Sequence, residues 1–374
     1  MVTSALWSDA DNDGDADLLV TYEWGPVRLF RNADGKLEDA TERSGIANLL
    51  GWWNGIAGGD VDADGDIDYA VTNFGLNTKY HPTPEKPAVL YYGDFSGDGQ
   101  MRIVEAKQTP DGAFPVRGFS CSSAAIPGVS RKMGHSTPFH NFATKVLDEI
   151  YTKERLGMAL RLEVNELRSG VLINDGAGVF EFRSLPALAQ VAPGFGVSFC
   201  DADGDANLDL YIVQNFFGPQ PETGRMHGGM SLLLAGRGDG DFVPVWPEAS
   251  GLVVSGDAKG LATLAGGEFL VSQNNGEALW FEPTDVARDR CVLRLIGKAA
   301  NPQAIGARVV CSFRGSPIGT FEVYAGSAYL CASSPSIAVP LDFTGTLDVS
   351  VRWPDGSESE HQIPTGIGGE VSQP

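Results

Sequence analysis

Carboxylates recur at every second position of Asp60-Val61-Asp62-Ala63-Asp64-Gly65-Asp66-Ile67-Asp68. Acidic side chains this close repel one another unless a cation sits among them. Calcium fits, because it takes roughly six to eight hard oxygen ligands at about 2.3–2.6 Å in a flexible geometry. Asp60, Asp62, Asp64 and Asp68, at positions one, three, five and nine, would give side-chain oxygens. Asp66, at position seven, would give its backbone carbonyl. Gly65, at position six, permits a left-handed turn that a Cβ penalises.

The pattern occurs three more times. The first copy is Asp9, Asp11, Asp13, Gly14, Asp15, Asp17. The last is Asp201, Asp203, Asp205, Ala206, Asn207, Asp209, where Ala206 in place of Gly costs the turn about 1 kcal/mol. The third, Asp94, Ser96, Asp98, Gly99, Gln100, is weaker, with Arg102 at position nine. A guanidinium cannot ligate calcium, so this site is left open, with Glu105 at position twelve available as a replacement. Calcium is therefore expected at three sites, with a fourth in question.

These loops are not EF-hands, which need flanking helices and a bidentate Glu at position twelve. Position twelve is Val20, Val71 and Ile212 in the other copies, and the residues after each loop are apolar, β-branched or aromatic. They read as strands. Strand, metal loop, strand, turn, strand (Leu6 to about Thr41) is the rhythm of a propeller blade. Asn32 to Leu37 and Val171 to Phe180 read as matching hairpins. Phe269 to Phe281 reads as a last blade without a metal loop. About 285 residues at roughly 40–45 per blade predict six or seven blades.

Residues 106–170 break the rhythm. Phe139, Phe142, Val146, Ile150 and Tyr151 predict one helix from about Pro138 to Glu154, within an insertion at about 136–168. His135 and His140 flank its start and read as ordinary surface residues. Asp285 to Arg290 is a charged joint. Beyond it, short strands at 292–296, 307–311, 321–324 and 347–353 predict a small separate β module over 291–366, followed by a flexible tail, 367–374.

The chain has 374 residues and a net charge of −21, with 16 of its 48 acidic residues in the four loops. Nucleic acid, which requires a basic face, is an unlikely partner. No run of about eighteen apolar residues exists, so no membrane span is expected. Cys311 and Cys331 could pair within the C-terminal module, or all five Cys could remain single thiols. Met1 lies eight residues before Asp9 with no signal peptide between them. Calcium loops favour a calcium-rich space, so a trimmed or mis-called start is expected, with an extracellular or cell-envelope location.

The loops resemble the FG-GAP and VCBS-type repeats of integrin-α-like β-propellers. The C-terminal stretch resembles the ASPIC/UnbV domain, on Asn301-Pro302-Gln303-Ala304-Ile305-Gly306-Ala307-Arg308-Val309, Gly326-Ser327-Ala328-Tyr329-Leu330 and Val351-Arg352-Trp353-Pro354-Asp355-Gly356. Together they are similar to the cartilage-acidic-protein-like (CRTAC-type) family. The resemblance implies calcium at Asp9, Asp60 and Asp201, and a secreted protein.

The fold class expected is thus all-β: an integrin-α-like propeller over 1–285 with an inserted helix, plus a small C-terminal β module. The function expected is a secreted calcium-binding scaffold for binding or adhesion, with an extracellular glycan or protein as partner. A purely structural matrix or surface-layer protein is a further reading. The enzyme alternative would act on a polysaccharide or a natural-product precursor in the propeller pocket. No catalytic motif supports it, and Arg117, His135, His140 and Gln190 are its only candidates. Arg237-Gly238-Asp239 spells the tripeptide that integrins read, in a turn that the repeat explains by itself.

Overall fold

The computed structural model describes residues 1–220, 223–283, 291–339, 341, 343–366 and 368–374. The expected joint at 285–290 lies outside the described residues. The described part is mainly antiparallel β-sheet, as the sequence predicts.

Four sheets have the meander order of a blade. The first is Val2–Ser8, Asp17–Pro26, Arg28–Ala33 and Lys36–Asp39. Its outer hairpin turns at Asp34 and Gly35, both at positive φ, the conformation a two-residue turn of this kind needs. The second is Ile56–Gly59, Asp68–Val71, Gly170–Asn174 and Phe180–Ser184. The third is Gly194–Cys200, Asp209–Gln214, Leu232–Gly236 and Phe242–Val245. The fourth has three strands, Ala258–Thr263, Phe269–Gln273 and Leu279–Phe281, and a plain turn where the others carry a metal loop.

Alternation along the second strands explains why the sheets stack face to face. Tyr69 and Val71 pack with Leu6, Leu19 and Leu29 of the first blade, whereas Ala70 packs with Val197, Leu210 and Ile212 of the third. Along Asp209–Gln214 every residue is buried. Leu210 and Ile212 face the second blade, and Tyr211 and Val213 face Leu261 and Val271 of the fourth. Period-two strands buried on both faces are what a stack of blades requires. Leu210→Ala would cost about 2–5 kcal/mol.

The described residues form four blade-like sheets, which leaves the expected six or seven blades unconfirmed. Residues 72–169 lie between the second and third strands of the second blade. This insertion has its own sheet, Ala88–Gly93, Arg102–Thr109, Gly112–Pro115 and Leu160–Val164. The single helix expected at 138–154 is three short ones, Pro138–Ala143, Leu147–Tyr151 and Lys153–Met158, preceded by Phe119–Ala125 and Gly128–Met133. Two local features divide the helix. Val146 is extended, and its N–H is capped by the Glu149 carboxylate at 3.1 Å. Thr152 sits at φ 67°, where its hydroxyl accepts from the Arg155 N–H. The expected apolar stripe is only partly buried: Phe142, Leu147, Ile150 and Tyr151 are, but Phe139 is exposed.

The C-terminal domain has two sheets around one core containing Trp353, Val309 and Val349. The expected flexible tail is instead a strand, Gly369–Ser372, paired in parallel with Leu293–Ile296, because Val371 is buried in that core. Cys311 and Cys331 are not bonded: Cys311 lies in this core, and the Cys331 thiol donates to the carbonyl of Leu261.

The domain is not separate from the blades. Its segment 323–336 bridges Trp7 of the first blade through Ala325, Ile56 of the second through Ala328, and Thr263 of the fourth through Ser334. Gly326, at φ 83°, passes so close to the carbonyl of Ala5 that a Cβ there would not fit. Among the described residues no helix is long and apolar enough to cross a membrane.

Candidate metal centre

Each metal loop joins the first and second strands of a sheet, so its ends are fixed by paired backbone. Three loops gather carboxylates whose oxygens lie within 4.8 Å of one another: Asp9, Asp11 and Asp13; Asp60, Asp62 and Asp68; and Asp201, Asp203 and Asp209. Gly14, Gly65 and Ala206 take φ 103°, 96° and 74° at position six. Ala206 therefore adopts the strained turn that the sequence requires of it.

The position-nine aspartates share one geometry. Asp17 accepts from the N–H groups of Ala10 (3.1 Å) and Asn32 (2.7 Å). Asp68 accepts from Val61 (3.0 Å) and Asn174 (2.8 Å), and Asp209 from Ala202 (2.7 Å) and Gly236 (2.9 Å). Each thus ties its loop to the neighbouring hairpin. The position-five residues Asp13, Asp64 and Asp205 each accept the position-seven N–H at 2.9 Å, closing the turn. Asp64 and Asp205 stand outside the close sets, as Asp17 does in the first loop. The expected four-carboxylate set is therefore three in each loop. The position-seven side chains are used elsewhere: Asp66 accepts from the Asn12 amide at 2.6 Å, Asn207 donates to Asp205 at 2.9 Å, and Asp15 is exposed.

The electrostatics call for a cation. Burial pushes the Asp17 and Asp68 carboxyls up to about 7 and those of Asp60 and Asp209 up to about 6. It also raises Asp9, Asp62 and Asp201. Desolvation favours the neutral acid, and the neighbouring carboxylates add to it. The buried Oδ1 atoms of Asp9, Asp60 and Asp62 have no hydrogen-bond partner among the described residues. Buried oxygens left this way are costly, and their setting fits a hard divalent cation. Asp9, Asp11 and Asp13 would hold one ion, Asp60, Asp62 and Asp68 another, and Asp201, Asp203 and Asp209 a third.

The loop at Asp94 is built differently. It lies in the inserted sheet, not in a blade. The Arg102 guanidinium makes two bonds to the Asp98 carboxylate, at 2.8 and 2.7 Å, and a third to the Gln100 side chain at 3.2 Å. Asp94 accepts four N–H groups, those of Ser96, Gly97, Asp98 and Gly99. Glu105 does not compensate, because it pairs with Arg117 at 2.9 Å. Arg102 supplies the positive charge from within the chain, and Asp94, Ser96, Asp98 and Gln100 form no close carboxylate set among the described residues.

Four residues of the C-terminal domain join this centre, and loop spacing gave no sign of them. Arg352 contacts the Asp9 carboxylate and donates to the carbonyl of Asn12 at 3.2 Å. Arg308 donates to the carbonyl of Gly65 and lies 3.7 Å from Asp66. The Thr320 N–H bonds Asp60. Glu322, fully buried and pushed up to about 7, accepts from the Ser8 hydroxyl (2.7 Å) and the Asp9 N–H (2.9 Å). The outer oxygen of Asp9 is thus held by Gly14 and Arg352, while the inner one is left for a ligand.

The four catalytic candidates are not brought together. His135 and His140 are exposed on the insertion. Gln190 is buried, bonding the backbone of Ser169 and Leu185. Arg117 lines a cavity. Arg237-Gly238-Asp239 forms the hairpin turn closed by the Arg237 N–H to Asp241 bond.

Residues 9–71, which hold the first two metal loops, match the FG-GAP-like repeat family. Residues 297–366, which hold Arg308, Thr320, Glu322 and Arg352, match the ASPIC and UnbV family. The chain therefore carries an FG-GAP-like repeat and a C-terminal ASPIC/UnbV domain. No curated protein matches it.

Proposed function

We propose that the chain is a calcium-stabilised, propeller-like binding scaffold that works outside the cytosol, with a glycan or a protein as partner. The observation that carries this reading is the inward-facing Oδ1 of Asp9, Asp60 and Asp62, buried beside further carboxylates and without a partner among the described residues. Calcium would supply the positive charge these groups need and fix the loops against the next hairpin. Extracellular modules hold calcium at about 10⁻⁴–10⁻³ M. A site at ten times its Kd adds about 1.4 kcal/mol, so three sites add about 4 kcal/mol, a large share of a net stability of about 5–15 kcal/mol.

The test is thermal unfolding in excess EDTA, in millimolar calcium and in millimolar magnesium. A calcium-specific rise of several degrees supports the scaffold reading. Equal melting in all three conditions overturns it.

A further inference from the structure

We propose that the cavity at the end of the blades remote from the metal loops is a binding site for a neutral saccharide. This rests on the scaffold reading and names its partner. Strand direction sets the location. Each metal loop follows the first strand of its blade, so the opposite end collects what lies just before the first strand or just after the second. Trp24, Phe74, Phe216 and Asn274 come from the ends of second strands, and Asn54, Phe195 and Lys259 from the beginnings of first strands. All line one cavity of about 550 Å³, with Glu105 and Arg117 of the insertion and Tyr329 of the C-terminal domain. Pockets of this size, apolar with a few convergent polar groups, are where small ligands bind.

One wall is aromatic. The Trp52 ring makes edge contacts with Trp24, Phe74 and Tyr80 at 4.9, 4.6 and 4.8 Å. Trp52 is only 6 % exposed, and its indole N–H has no acceptor among the described residues. That N–H is itself fully buried, so toward the cavity the ring serves as an apolar wall. Trp24 is held at φ 62° and Leu330, which also lines the cavity, at φ 51°. Bulky residues persist in that region only where the surroundings enforce it, and such strain gathers at ligand sites.

The charges select the class. Lys259 donates to Asp257 and to the carbonyl of Asn215, both at 2.6 Å, and lies 3.4 Å from the Phe195 ring centre. It already fills the place a cationic ligand would take on that ring. Arg117 is paired with Glu105, so among the described lining residues both cations, Lys259 and Arg117, are already matched by a carboxylate. Glu23 adds an acceptor, which disfavours anions and wholly apolar molecules. A sugar ring meets the remaining demands. Its C–H face lies on an aromatic ring, and its hydroxyls donate to Glu23.

The test titrates the calcium-loaded chain with soluble gluco-, xylo-, manno-, galacto- and chito-oligosaccharides, read by calorimetry and tryptophan fluorescence. At least one should bind saturably. Trp24→Ala and Glu23→Gln should each weaken it about tenfold or more while the melting temperature in calcium is kept. If Trp24→Ala fails to fold, Glu23→Gln alone decides. Binding by none of the five, or binding unchanged in the folded variants, overturns the proposal. Calcium-specific stabilisation without sugar binding removes this site and keeps the scaffold. Sugar binding without a calcium effect keeps this site and removes calcium as its support.

Discussion

Arg308 and Arg352 face one another across two paired strands of the ASPIC/UnbV domain, and each reaches a different metal loop of the FG-GAP-like repeat. Strands Arg308–Phe313 and Thr346–Arg352 are antiparallel neighbours. Glu322, opposite Arg308 on its other side, accepts the Asp9 N–H. One edge of the C-terminal domain therefore carries the groups that hold the outer side of two of the acidic loops. Docking of the domain and formation of the loops are coupled through these bonds.

Arg352→Ala should show that coupling. It leaves the outer Asp9 oxygen with only the Gly14 N–H, at a cost of about 1–3 kcal/mol. Arg294→Ala, which breaks an exposed pair with Glu370 (3.3 Å), should cost less than about 1 kcal/mol. Urea unfolding in calcium measures both. Equal costs would mean that Arg352 is an ordinary surface residue.

The loops should respond to substitution according to what holds them. Asp60→Asn removes a carboxylate from a close set and should abolish one calcium equivalent. Asp98→Asn, in a loop already held by Arg102, should leave the calcium count unchanged. Arg102→Asp restores a carboxylate at position nine and frees Asp98, so the Asp94 loop should gain a calcium site. Calorimetric stoichiometry of the three variants decides. A wild-type Asp94 loop that loses calcium on Asp98→Asn would refute the assignment to Arg102.

Stability without calcium should fall as pH rises. Asp17, Asp68 and Glu322 are held near 7 by burial, against ordinary values of about 4. A raised carboxyl contributes stability that is fully present below its unfolded value and is lost as pH climbs through the folded one. In EDTA the melting temperature should therefore drop between about pH 5 and pH 8. Calcium binds the anions, so its stabilising increment should grow over the same interval. Scanning calorimetry checks both slopes, and a flat or rising melting temperature in EDTA would contradict the buried carboxylates.

The parts legible in sequence were those with local causes. Alternating Asp with Gly at position six marks a loop that gathers carboxylates, because side-chain spacing and turn geometry are both set within nine residues. Arg102 signalled a defective site for the same reason, and Ala206 a strained one. The blade count was not legible, because residues 72–169 interrupt a blade between paired strands and nothing local marks the return at Gly170. Pro138 to Glu154 looked like one helix by period, but the Glu149 cap and the positive φ of Thr152 restart the chain within it. The contacts of Arg308, Glu322 and Arg352 with the loops were not legible, since their partners lie some 240 to 340 positions away.

The most direct measurement is a count of bound calcium per chain by equilibrium dialysis at millimolar free calcium, with magnesium in excess as competitor. Three calcium ions, one for each of the close carboxylate sets, are expected, falling by one in Asp60→Asn. No bound calcium, or complete displacement by magnesium, would contradict the account.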